Sequence, residues 1–134
     1  MDNRNTPCFL VIDDDDINNH ICTKTIELIF PKADIQSFTN PQSGLDYMRS
    51  KGKGETILFL DINMPVLSGW DVLNRFKDFP EEIKQLYTTY ILSSSVAVED
   101  RNKAEENPLV SGFIEKPLTV FQLKQLFRGK IQKP

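Results

Sequence analysis

The stretch Thr56-Ile57-Leu58-Phe59-Leu60-Asp61-Ile62-Asn63-Met64-Pro65-Val66-Leu67-Ser68-Gly69 sets the reading of the whole chain. Ile57 to Leu60 is a continuous apolar run, too short for a helix, and it suits a strand covered on both faces of a parallel sheet. The run ends in the carboxylate of Asp61. Pro65 lacks the N–H that a central ladder needs, so the strand stops about where Asp61 stands. Open α/β sheets place their chemistry at the carboxyl ends of their strands, and Asp61 is therefore the first candidate functional group.

Working outward, Phe9 to Ile12 repeats the pattern: a solid apolar run ending in carboxylates, here Asp13, Asp14, Asp15 and Asp16. Asp15 or Asp16 can cap the following helix, because an acid favours the positive end of the helix dipole. Ile17, Ile21 and Leu28, with Cys22, Ile26 and Ile29 beside them, are expected to form that helix's apolar face before Pro31 stops it. Capping accounts for one or two of the four acids only. A short strand is expected over Asp34 to Phe38 and a modest helix over Gln42 to Ser50, with Leu45 and Met48 inward. Lys51-Gly52-Lys53-Gly54 closes it as a loop.

Beyond the central strand, Gly69, Val72, Leu73 and Phe76 fall at i, i+3, i+4 and i+7, an amphipathic helix that ends before Pro80. Trp70 lies off that stripe and reads as a half-exposed ring. Glu81 to Leu86 suggests no more than a helical turn. Thr88 to Leu92 is β-branched and aromatic, a fourth strand, and Ser93-Ser94-Ser95 follows it. Val96 to Asn107 is a charged helix, and Ser111 to Glu115 is a fifth strand leading to Lys116-Pro117. Thr119 and Gln122 form a capping box for a last helix carrying Phe121, Leu123, Leu126 and Phe127. Five strands alternating with five helices specify an α/β chain: a three-layer sandwich whose parallel sheet carries helices on both faces.

At 134 residues the chain is the size of one domain. A net charge of -3 argues against a nucleic-acid footprint. Cys8 and Cys22 have neither CxxC spacing nor a signal peptide before them, which favours a reduced, cytoplasmic setting. No apolar run approaches the roughly 20 residues that span a bilayer, so no membrane association is expected. His20 falls on the polar side of its helix as a solvated residue. The fourfold Asp run lacks the spacing and glycine of a calcium-binding EF-hand. Lys124, Lys130 and Lys133 read as a solvated basic face.

Four strands thus end in polar groups: Asp13 and Asp14, Asp61, Ser93, and Lys116. If the first and third strands are neighbours at a topological switch point, all of them meet in one crevice. At ~4 Å and an effective dielectric of about 20, each ionised carboxylate pair would cost on the order of 4 kcal/mol. Lys116 supplies one compensating charge. Hard oxygens with an open aqueous face also suit Mg2+, which keeps several waters and accepts phosphate oxygens. A carboxylate beside Mg2+, a Ser hydroxyl and a Lys is a set of parts for phosphoryl transfer onto the carboxylate, with Asp61 as nucleophile.

The segments FLVIDDDD, LDINMPVLSGWDVL, ILSSS and GFIEKPL, in that order and spacing, resemble the receiver domain of two-component response regulators over essentially the whole chain. The resemblance implies a flavodoxin-like (β/α)5 fold with sheet order 2-1-3-4-5. It also implies one receiver domain over 1–134 with no output domain, acting in trans. By the same resemblance Asp61 is the phosphoacceptor, while Asp13 and Asp14 are the acidic pair that holds Mg2+. Asn63 contributes its backbone carbonyl to the metal. Ser93, or Ser94 if the register shifts by one, is the hydroxyl that bonds the phosphoryl group. Lys116 is the phosphate-pairing lysine, usually followed by a cis bond to the proline, here Pro117. Phe113 stands at the aromatic switch position, where relatives often carry Tyr, and Ser93 stands where Thr is commoner.

The implied partners are a sensor histidine kinase or histidine phosphotransfer protein and a downstream protein target. No turnover on an external substrate is expected. An aspartyl-nucleophile phosphohydrolase would need a second acid where Asn63 stands. A phosphorylation-independent interaction module is the other alternative, against which the intact Asp13, Asp14, Asp61 and Lys116 weigh.

Overall fold

The computed structural model describes residues 7–50, 54–95 and 97–132, with side chains described as far as Phe127. Its sheet is built from β1 (Cys8–Ile12), β2 (Ile35–Phe38), β3 (Thr56–Leu60), β4 (Tyr87–Ser93) and β5 (Val110–Glu115). All neighbours pair in parallel, in the order β2-β1-β3-β4-β5. The expected fold and strand order are therefore found. β3 is central, and each of its five residues is buried, as its unbroken apolar run requires.

Successive strand side chains point to opposite faces, and the two faces of the sheet carry separate cores. Leu10, Ile12, Leu58, Leu60 and Ile91 pack on one side, under α2 (Pro41–Ser50), α3 (Gly69–Phe76) and α5 (Val98–Glu106). Phe9, Val11, Ile57, Phe59 and Leu92 pack on the other with Cys22 and Ile26 of α1 (Asp16–Ile29) and Leu123 of α6 (Val120–Gln132). Leu45 and Met48 of α2 point inward as expected. The Thr119–Gln122 capping box forms, with Thr119 N–H donating to Gln122 Oε1 at 3.0 Å and Gln122 N–H to Thr119 Oγ1 at 3.1 Å.

Three expectations are corrected. The helices number six among the described residues, because Glu81–Lys84 closes into a short helix, α4, behind Pro80. It buries no residue, so no apolar pattern announced it. The apolar face expected of α1 holds for Cys22 and Ile26, both buried, but not for Ile17, 72% exposed, Ile21, 41%, or Leu28, 75%. The helix instead turns Asn18, Asn19, Cys22 and Ile26 inward. In α6, Phe121 faces solvent, whereas Leu123 is buried. Trp70 is half-buried, with Lys103 Nζ 5.3 Å from its ring centre. The loop expected at residues 51–53, Val96, and the side chains of Lys130 and Lys133 lie outside the described residues.

Candidate functional site

The carboxyl edge of the sheet is tied together by backbone bonds that continue past the strand ends. Asp13 N–H donates to Phe38 O at 3.1 Å, Asp61 N–H to Ile12 O at 2.9 Å, and Lys116 N–H to Ser93 O at 2.9 Å. These bonds fix the heights of Asp13, Asp61 and Lys116 relative to one another before any side-chain contact is made. The α3 helix is seated against the same edge. Ser68 caps it with a full capping box, and Gly69 packs so closely on the Asp61–Ile62 backbone that a Cβ there would stand 2.4 Å from Asp61 O.

The structure brings the four strand ends into one crevice. Lys116 Nζ lies 2.8 Å from Asp13 Oδ2 and 3.6 Å from Asp61 Oδ2. Carboxylate oxygens of Asp13, Asp14 and Asp61 all lie within 4.8 Å of one another. Asp13 and Asp61 are buried and Asp14 is exposed, so the cluster opens to water on one side. An all-oxygen set with a wet face fits a hard divalent cation such as Mg2+. Asn63 N–H donates to Asp61 Oδ1 at 3.1 Å, which holds the chain beyond Asp61 over the crevice.

Of the two serines left open by the sequence, Ser93 faces the crevice. It is fully buried, its Oγ accepts from Asn63 Nδ2 at 3.3 Å and from Ser95 N–H at 3.0 Å, and Ser94 is exposed. The Lys116–Pro117 bond is cis. Phe113 is half-buried on β5, with the Arg101 guanidinium of α5 over its ring at 4.7 Å.

Burial pushes the Asp61 carboxyl up from 3.8 to about 6; the Asn63 N–H opposes this, the Asp13 charge adds to it and the Lys116 charge opposes it. Lys116 is itself held above its ordinary value: burial works against its charge, but the bond to Asp13 and the charges of Asp61 and Asp13 outweigh it.

Sequence reasoning missed two residues of the site. Asn18 Nδ2 donates to Asp13 Oδ2 at 2.7 Å, and Asn19 Nδ2 donates to Asp13 O at 2.9 Å, both in buried positions. The available signal was spacing. Asn19, Cys22 and Ile26 share one helical stripe, and polar residues on a buried stripe need a partner.

A profile of the response regulator receiver domain matches residues 9–128. The chain belongs to that family. A solved two-component response regulator from Cytophaga hutchinsonii is 32% identical to this receiver, with a TM-score of 0.84 over 97% of this chain and 100% of that one. A response regulator receiver protein from Dyadobacter fermentans, 23% identical, superposes on the receiver fold with a TM-score of 0.86, covering 96% of this chain and 100% of that one. The stress response regulator protein 1 of Meyerozyma guilliermondii is 37% identical over 73 residues, 54% of this chain. The receiver spans about a third of that curated relative's length (33%). Among the described residues, no helix is long and apolar enough to cross a membrane.

Proposed function

We propose that this receiver takes a phosphoryl group onto Asp61 from the phosphohistidine of a sensor kinase or phosphotransfer protein. One observation carries the reading: the buried Asp61 carboxylate shares a water-facing crevice with the Lys116 ammonium and with two further acids that suit a divalent cation. An Asp61 oxygen attacks phosphorus, the new O–P bond forms as the P–N bond breaks, and the imidazole leaves with the electron pair. Lys116 lies where it can pair with a phosphoryl oxygen, and Ser93 Oγ–H can donate to another. Asp13, Asp14, Asp61 and the Asn63 carbonyl would hold Mg2+, which supplies charge neutralisation for the incoming oxygens.

The fit of Asn63 to this role also separates the reading from a phosphohydrolase. Its carboxamide is bonded to Ser93 and offers no proton for a leaving group, so no general acid stands two residues past the nucleophile. The protein acts as a signalling module rather than a turnover enzyme. Signalling follows as a population shift: the phosphoryl group draws Ser93 toward it, Phe113 rotates into the space released, and the face formed by α5, β5 and α6 changes its affinity for a protein target.

Incubation with phosphoramidate and Mg2+, followed by intact mass measurement, tests the assignment. The wild type is expected to gain one phosphoryl group, lost on mild alkali, and Asp61→Asn none. Equal labelling of the two proteins, or of neither, would refute it.

A further inference from the structure

We propose that Asn18 is a positioning residue that keeps the Asp13 carboxylate aimed at the cation when Lys116 leaves it for the phosphoryl group; the proposal rests on the reading of Asp61 and Lys116 given above. Asp13 is 1% exposed, so every lone pair on it is used or aimed inside the protein. Its Oδ1 accepts from Asp15 N–H at 2.8 Å. Its Oδ2 accepts from two donors, Lys116 Nζ at 2.8 Å and Asn18 Nδ2 at 2.7 Å. One tether on each oxygen fixes the carboxylate plane; a single tether leaves it free to turn about its last torsion.

Lys116 cannot serve as the permanent tether. Its Nζ is already shared with Asp61, and a phosphoryl group on Asp61 carries more negative charge than the carboxylate it replaces. Once the ammonium moves to that group, Asn18 is the remaining side-chain donor on Oδ2 among the described residues. Asn18 is poorly suited to its place on other grounds. Asparagine is a mediocre helix former, and a carboxamide buried without a partner is costly. The bond to Asp13 is what makes the residue fit a buried position (8% exposed) on α1. Its neighbour Asn19 bonds the Asp13 backbone carbonyl and leaves its own Oδ1 without a partner, so it holds the turn and not the carboxylate.

The test measures Mn2+ affinity by electron paramagnetic resonance, with Mn2+ standing for the divalent cation. It uses the wild type, Asn18→Ala, Lys116→Met and the double variant, with folding checked by circular dichroism. Residues that orient a metal ligand typically change affinity by about tenfold to a hundredfold when removed. Asn18→Ala is expected to weaken Mn2+ binding about tenfold in the wild-type background, where Lys116 still tethers Asp13. In the Lys116→Met background the loss is expected to grow toward about a hundredfold. An effect acting only through helix stability would give the same fold-change in both backgrounds and would overturn the proposal, as would no change in either. Asn18→Ser, too short to reach Oδ2, replaces Asn18→Ala if that variant does not fold, with the same expectations. A wild type that binds no Mn2+ would overturn the metal reading and this proposal together. A wild type that binds Mn2+ with an affinity insensitive to Asn18 would overturn this proposal alone.

Discussion

Replacing Asp61 with asparagine removes the proposed phosphoacceptor carboxylate, and it is also expected to make the metal-free protein more stable at neutral pH. The folded protein holds the Asp61 proton up to about 6 against an ordinary 3.8, so ionising this group opposes folding. The sign follows from proton binding: between those two values the native state binds more protons than the unfolded chain, and stability falls as pH rises through the interval. The cost is absent below the lower value and complete above the upper one. The full interval corresponds to about 3 kcal/mol, and screening through the open face of the crevice reduces this to ~1–2 kcal/mol.

The variant keeps an acceptor for the Asn63 N–H and loses both the repulsion from Asp13 and the weaker attraction of Lys116. Urea unfolding in EDTA, followed by circular dichroism, should therefore place Asp61→Asn ~1–2 kcal/mol above the wild type at about pH 7.5, with the difference closing toward zero near pH 4. Mg2+ should reverse the order. Binding at a hundred times Kd stabilises the native state by about 2.7 kcal/mol, and the variant, short of one ligand charge, gains less. The reasoning fails if the variant is no more stable than the wild type in EDTA at neutral pH, or if its advantage is unchanged in acid.

Gly69→Ala should cost ~2–3 kcal/mol, because its Cβ would meet backbone atoms, Asp61 O at 2.4 Å and Ile62 Cα at 2.7 Å, which cannot rotate away. Gly54→Ala, with nothing within 4 Å, is the control, and equal urea midpoints for the two variants would contradict the close contact. Arg101→Ala removes a cation held 4.7 Å from the Phe113 ring centre. An exposed pair of this kind is worth ~0.5–1 kcal/mol, so the variant should shift the ring's rotamer populations about two- to fivefold. Side-chain NMR of Phe113 with and without a phosphoryl mimic reads that shift, and unchanged populations would show that the guanidinium does not bias the ring. Phosphoryl transfer to Ser93→Ala should still occur, since Asp61 and Lys116 are intact, while the response of Phe113 to phosphorylation should be lost; a preserved ring response would remove Ser93 from the route.

Much of this was legible in the chain. Solid apolar runs at Phe9–Ile12 and Ile57–Leu60 could only be strands buried on both faces, and their abrupt polar ends marked one edge of the sheet. That edge carries the whole candidate site. Each failure has a physical cause. Ile17, Ile21 and Leu28 have correct helical spacing, yet α1 turns the neighbouring stripe inward, where Asn18 and Asn19 donate to Asp13 beside the buried Cys22 and Ile26. Periodicity counts apolar residues and is blind to a buried acid that recruits amides five and six positions away. Glu81–Lys84 was underread for a simpler reason: a helix that buries nothing leaves no pattern. The choice between Ser93 and Ser94 needed the position at which β4 ends, which a run of three serines does not mark.

The bonds that join Asp13 to β2, Asp61 to β1 and Lys116 to β4 make the crevice a property of the finished sheet rather than of any one loop. A segment in which these strands have not paired leaves Asp13, Asp61 and Lys116 at unrelated heights. Under the proposed function, the ability to accept a phosphoryl group therefore arises together with the paired sheet.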